Sequence, residues 1–304
     1  MVIRSFDALR AALMGRAPLS VAVAGGEDDA TLAALATAHG AGIVGDVTLT
    51  GDAERIRAAL PPALAGATII DAPTDAAPRA VAAIRAGRAG VLVKGRVDSA
   101  AYLRAVVDRD TGLRGPGVLS NLTLAEMPSV PRLIGATDNG ILPLPTLDQK
   151  RAIIHNALPL FRGLGLSAPR IAAIAASEKI SDSQPATTDA AALARAAAVG
   201  EFGTALVDGP FGYDVALSPT AAARKGLGES PVAGQADLIL FPSIESGNAT
   251  VKAWKLHGQA RTASIVLGAR VPVLLNSRSD GADARLLGLL LAGAVLSQST
   301  GDDR

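Results

Sequence analysis

The 304-residue chain is long enough for one large domain or two moderate ones. Its 29 basic and 28 acidic side chains leave a net charge of +1 and are interspersed. That argues against a nucleic-acid-binding face but leaves room for a small anionic ligand. Hydrophobic residues make up 49% and aromatic residues only 3%, so the core is built from Ala, Val, Leu and Ile, which suits helices packed closely on a parallel sheet.

In chain order, the start through Gly15 reads as an amphipathic helix rather than a signal peptide. Ser20–Ala24 is a buried strand, followed by Gly25-Gly26 and the acidic triplet Glu27-Asp28-Asp29. A helix then ends at Gly40, Gly42–Thr50 is a second strand, and GDAERIRAAL opens a second helix. Residues 67–72 form a third strand and DAAPRAVAAIRAGRA a third helix. Gly90–Lys94 is a fourth strand, with a helix over Ser99–Asp108. This alternation implies a parallel sheet with right-handed crossovers.

The Gly- and Pro-rich stretch from Asp110 to Gly140 breaks the rhythm, and its apolar runs read as strands that pair antiparallel or bridge two lobes. A long helix follows Thr146, and Pro159 is expected to kink it or sit near its end. Strands are then expected at 170–177, 203–210, 236–243, 262–269 and 271–275. The intervening helices are 186–200, a single helix over Asp214–Lys225, and IESGNATVKAWKLHG. No run reaches ~18 consecutive apolar residues, so no membrane span is expected and a cytoplasmic location is the default.

The chain has no cysteine, which excludes disulfides, thiolate zinc sites and a cysteine nucleophile. No Walker A pattern, strand-linked GxGxxG or GxSxG elbow occurs. His39, His155 and His257 lie far apart on predicted helices and read as surface or packed histidines. No carboxylate–histidine cluster points to a metal.

What remains is polar chemistry at strand ends: Lys94-Gly95, Ser177-Glu178-Lys179, Asp208-Gly209-Pro210, Pro242-Ser243, and Asn276-Ser277-Arg278. In open α/β sheets, ligands sit beyond the carboxyl ends of strands. The stretch VPVLLNSRSDGADAR at 271–285 reads as strand, polar turn and buried helix. Two readings stand for it. In one, Ser277, Arg278 and the first N–H groups of the helix bind an anion, with the guanidinium fork fitting phosphate. In the other, Asp280 is the helix N-cap with Asp283 three residues on, and Arg278 is solvated.

Several segments together resemble the phosphate acetyl/butyryl transferase family, closer to its butyryl branch. They are VAVAGGEDDATLAALATA at 21–38, ATDNGILPLPTLDQKRAIIHNAL at 136–158, SEKISDSQPATTDAAAL at 177–193 and VDGPFGYDVALS at 207–218. SPVAGQADLILFPSIESGNATVKAWK at 230–255 and LNSRSDGADARL at 275–286 complete the series. The resemblance implies an α/β fold of two lobes with parallel-rich sheets flanked by helices, like isocitrate and isopropylmalate dehydrogenases. It implies a discontinuous first domain, 1–145 plus 266–304, a second domain, 146–265, and an active cleft between them.

The implied reaction converts short-chain acyl-CoA and phosphate to acyl phosphate and coenzyme A. Coenzyme A is a substrate, and no cofactor is implied. The matching Ser277-Arg278 pair is expected to hold phosphate. The family's acetyl branch places a thiol-deprotonating aspartate where this chain has Ala284, so Asp283 or Asp280 serves as base, or no base is needed. Asn248 is expected to donate to the acyl carbonyl. Lys94, Gly247, Lys252, Asn276 and Asp280 are expected to bind substrate. Relatives are typically homo-oligomers, dimeric or larger. Two other readings are an acyltransferase acting on acyl carrier protein and a non-catalytic protein that binds phosphate or CoA.

Overall fold

A computed structural model describes residues 1–276 and 280–297. In chain order its elements begin with α1 (Phe6–Leu13), β1 (Leu19–Ala24), α2 (Asp29–Gly40), β2 (Val44–Gly51) and α3 (Ala53–Ala59). Next come β3 (Thr68–Asp71), α4 (Ala76–Arg85), β4 (Val91–Lys94) and α5 (Ser99–Val107). The Gly/Pro-rich stretch leads into β5 (Ser120–Met127) and β6 (Val130–Thr137), then α6 (Leu147–Gly163), β7 (Arg170–Ile174), α7 (Pro185–Ala198) and β8 (Leu206–Phe211). The rest is α8 (Tyr213–Leu217), α9 (Pro219–Arg224), β9 (Leu238–Leu240), α10 (Ile244–Leu256), β10 (Arg261–Leu267), β11 (Val273–Leu274) and α11 (Ala282–Leu296).

The chain forms two compact units. One comprises Met1–Ser5 and Ser120–Thr262; the other comprises Phe6–Leu119 and the described residues from Ala263 on. The second unit, called unit A here, carries strands in the order β3-β2-β1-β4-β11-β10. They are parallel except that β10 runs antiparallel to β11. The other, unit B, carries β5-β6-β9-β7-β8, parallel except for the β5–β6 hairpin. The hairpin groups with unit B, so the division falls at 119/120 and 262/263 rather than at the expected 145 and 265.

The aliphatic composition does what it implies. In unit A, β1 and β4 are buried on both faces through Val21, Ala22, Val23, Leu92 and Val93, as strands of a helix-covered parallel sheet are. Helix α11 is apolar from Leu286 onward and buries Leu287, Leu289, Leu290 and Leu291. In unit B, Phe161, Phe211, Phe241 and Trp254 supply much of the scarce aromatic core.

Two local expectations change. The single helix expected over 214–225 is broken at Ser218, which ends α8 and caps α9 through Ala221 N–H. Pro219 causes the break, because it has no N–H and pushes the residue before it out of the helical region. The N-cap of α11 is Gly281, not Asp280, and no side chain caps it. Pro159 lies inside α6, near its end. Helix α6 starts with a complete capping box between Thr146 and Gln149. Thr146→Ala is therefore expected to lower the unfolding free energy by about 1 kcal/mol, measured by urea denaturation; an unchanged midpoint and slope would show that the box contributes nothing.

Candidate functional site

In unit A the register aligns the carboxyl ends of three strands. Val23 pairs with Val93, and Val93 with Leu274. The turns that leave β1 and β4 then meet backbone to backbone. Gly95 N–H donates to Ala24 O and Arg96 N–H to Gly25 O, each at 2.8 Å. A Cβ on Gly95 would lie 2.1 Å from Gly25 O, and Gly25 has a positive φ of 77°, so only glycine fits at either turn.

Around this crossing lies a cavity of about 550 Å³, whose lining includes Glu27, Asp28, Lys94, Gly95, Arg96 and Arg285. Lys94 is 3% exposed; a cation so deeply buried is costly unless it faces an anion or acceptors. Asn276 is also buried, and its Oδ1 has no hydrogen-bond partner among the described residues. Glu27 Oε2 is likewise buried without one.

Arg285 is the organiser that sequence reading missed. It projects from the first turns of α11 and is 5% exposed. Its Nη1 donates to Thr31 Oγ1 at 2.8 Å and to Lys94 O at 3.2 Å, and lies 3.5 Å from Asp28 Oδ1. Its Nε donates to Asp280 O at 3.2 Å. Asp28 in turn caps α2, accepting from Thr31 N–H and Thr31 O–H at 2.8 Å each. One guanidinium thus joins the start of α2, the end of β4 and the turn before α11. A signal was present: an arginine at the start of an otherwise apolar helix must find buried partners.

Of the residues expected in the site, Lys94, Asn276, Asp280 and Asp283 gather at this end of unit A. Asp280 is half-buried, and Asp283 is exposed in the first turn of α11. Ser277 and Arg278 lie outside the described residues. Asn248, Gly247 and Lys252 lie on α10 in unit B. There Gly247 packs on the loop after β6: a Cβ on it would lie 2.7 Å from Asp138 O. Asn248 Nδ2 donates to Asn139 O at 3.2 Å. Lys252 is exposed.

The loop under Asn248 is a dense polar cluster that sequence reading did not single out as a site. Asn139 Nδ2 donates to Thr123 Oγ1 and Asn121 Nδ2 to Asn139 Oδ1, both at 2.8 Å. Asp138 is 1% exposed and accepts from the N–H groups of Gly140, Ile141 and Leu142. Burial pushes its carboxyl above the usual aspartate range, and those three donors hold it down in part.

A family model described as "Phosphate acetyl/butaryl transferase" matches residues 68–287. The chain belongs to the phosphate acetyl/butyryl transferase family. A probable phosphate butyryltransferase of Bacillus subtilis (strain 168) is 35% identical over 92% of this chain and 95% of its own length. A phosphate acetyltransferase of Thermotoga maritima is 34% identical over 90% of this chain and 93% of its own. A crystal structure of a branched-chain phosphotransacylase from Enterococcus faecalis V583 shares the fold, with a TM-score of 0.79 at 24% identity over 91% of this chain and 99% of that one. Among the described residues, no helix of this family member is long and apolar enough to cross a membrane.

Two outcomes follow from these sites. Arg285→Met strands Asp28, Thr31 and two carbonyls, so it should lower the unfolding free energy by about 3 kcal/mol; a loss below about 1 kcal/mol in chemical denaturation would remove the guanidinium from this role. Asp138 has a native pKa raised above its unfolded value, so the native state binds the extra proton. Its contribution to stability therefore falls as pH rises from the ordinary aspartate range through the raised native value. Asp138→Asn should flatten that part of the stability profile, and an unaltered slope would contradict the burial argument.

Proposed function

We propose that this phosphate acyltransferase moves a short-chain acyl group, acetyl or butyryl, directly between coenzyme A and phosphate in a ternary complex. The observation that carries this is the cavity at the carboxyl ends of the unit A strands, where Lys94, Arg96 and Arg285 stand among Glu27, Asp28, Asp29 and Asp98. Lys94 is buried there, and its carbonyl accepts from Arg285 in the first turn of α11, a helix that no side chain caps; Asn276, Ser277 and Arg278 precede that helix in the sequence. Free N–H groups and the positive end of a helix dipole favour phosphate.

Toward acyl-CoA, the thiolate attacks the carbonyl carbon of the acyl phosphate. The new C–S bond forms, the C–O bond to phosphate breaks, and phosphate leaves with that electron pair. Negative charge grows on the carbonyl oxygen and on the leaving phosphate. Arg278 clamps the phosphate bidentately, and Ser277 and the first N–H groups of α11 complete its shell. Lys94 adds positive charge.

Asn248, with one amide hydrogen held by Asn139 O, keeps a second for the acyl oxygen, and Gly247 lets its helix approach closely. Lys252 meets an anionic part of coenzyme A. Asp283 or Asp280 takes the thiol proton where a base is needed; a thiol of pKa about 8.5 is already a few per cent ionised at neutral pH. With no cysteine in the chain to carry a thioester, direct transfer is favoured over an acyl-enzyme. The reading includes no cofactor, a homo-oligomeric state, a cytoplasmic location, and a place for the fold beside isocitrate and isopropylmalate dehydrogenases. A carrier-protein substrate is not favoured, since the near-neutral charge offers no basic docking face.

Acetyl-CoA, propionyl-CoA and butyryl-CoA should each be mixed with phosphate and thiol release followed. Phosphate-dependent release with at least one is expected, with intersecting initial-velocity lines. Parallel lines would indicate a covalent intermediate instead. Arg278→Ala should lower kcat/KM by about 10²–10³; a change under about threefold would remove Arg278 from the site.

A further inference from the structure

Unit B carries a second cluster of cations at the opposite ends of its strands. Arg132 stands near the start of β6, Arg170 is the first residue of β7, and Asp237 immediately precedes β9. The Asp138 loop follows the far end of β6, roughly 17 Å away at about 3.3 Å per residue. Arg4, from the N-terminal segment of the same unit, joins Arg132, Arg170 and Asp237 around a cavity of about 300 Å³.

The charges there do not balance. Three guanidinium groups meet one carboxylate, leaving a surplus of two positive charges. That carboxylate is already committed to the backbone: Asp237 is 4% exposed, and its Oδ2 accepts Arg170 N–H at 2.8 Å. Arg132 spends Nε and Nη2 on Ala236 O, at 3.3 and 3.0 Å, and Arg170 spends Nε on Pro231 O at 3.1 Å. These bonds fix two of the forks in place and leave the remaining N–H groups of both. Arg4 makes no hydrogen bond or ion pair among the described residues. Burial and the neighbouring Arg170 and Arg4 push the Arg132 guanidinium below its ordinary range, opposed by Asp237. Like charges held together in a recess are a standing cost that an anion removes.

We propose that Arg4, Arg132 and Arg170 form a binding site for a small oxyanion of two or more negative charges, at the end of unit B remote from its Asp138 loop. Planar forks on three separate segments suit the oxygens of a phosphate or a polycarboxylate. The recess matches the lower end of small-molecule pockets in size. Within unit B the site lies at the strand ends opposite the Asp138 loop, on which Gly247 and Asn248 pack.

The full chain should be titrated calorimetrically with pyrophosphate and with citrate, which separate the phosphate and carboxylate sources. At least one probe is expected to bind to the native chain. Arg4→Glu should weaken that binding at least tenfold, and Arg170→Gln should weaken it in the same direction. Arg4 is exposed and makes no contact that folding needs, so Arg4→Glu should keep kcat and KM, without probe, within twofold. Binding of neither probe overturns the proposal, as does an affinity that neither variant changes. A change in oligomeric state in Arg4→Glu, by sedimentation, would also overturn it, because the arginines would then face another copy of the chain.

Discussion

A buried guanidinium holds the chemically promising end of unit A together. Taking a cation out of water costs several kcal/mol, and only good geometry offsets it. Arg285 meets that condition with a hydroxyl, two carbonyls and a carboxylate. Those four partners belong to three segments. The cap of α2, the last residue of β4 and the turn into α11 are therefore placed relative to one another by a single side chain. Without it, the carboxyl ends of the strands would align, but the turn into α11 would lose its tie to the start of α2 and the end of β4.

The glycine crossing sets a second constraint on the same loops. Gly25 and Gly95 let two turns touch backbone to backbone, which shapes the floor beneath Lys94. The Gly95 and Arg96 N–H groups are used up in that crossing, and Lys94, Gly95 and Arg96 line the cavity beside it. This is the arrangement by which a fold with few aromatic residues and no metal-binding motif can stabilise a developing anion. Unit B reaches similar density by other means. Its Asn121, Asn139 and Thr123 side chains form a hydrogen-bonded run under α10, and Asn248 joins α10 to it through the Asn139 main-chain carbonyl. The buried Asp138 carboxylate is stitched to three successive backbone donors beside it.

A net charge of +1 hides local clustering of charge, near balance in one unit and a surplus of cations in the other. Acidic groups at Glu27, Asp28, Asp29 and Asp98 surround Lys94, Arg96 and Arg285 in one unit, while Arg4, Arg132 and Arg170 crowd one aspartate in the other. Interactions of this kind act within about 10 Å at moderate salt. What matters for an anionic ligand is therefore the local set of charges and not their total.

The residue pattern alone determined the class of fold and the order of nearly every element. Strands rich in Val, Ile and Leu alternate with helices of period 3.6, and that code is local. Segment matches likewise determined the family, because they span most of the chain in order. The break at Ser218 was local too, readable from Ser-Pro, but the helical composition of 214–225 masked it. What only the tertiary structure decided are the partners of distant residues. Arg285 meets Thr31, 254 positions away in sequence. Asn248 turns toward Asn139, and the hairpin of β5 and β6 groups with the strands after it rather than those before. Arg4 joins β6 and β7 because the first residues of the chain fold into unit B. None of these pairings leaves a periodic trace, since burial, register and charge pairing act between segments that sequence spacing does not relate.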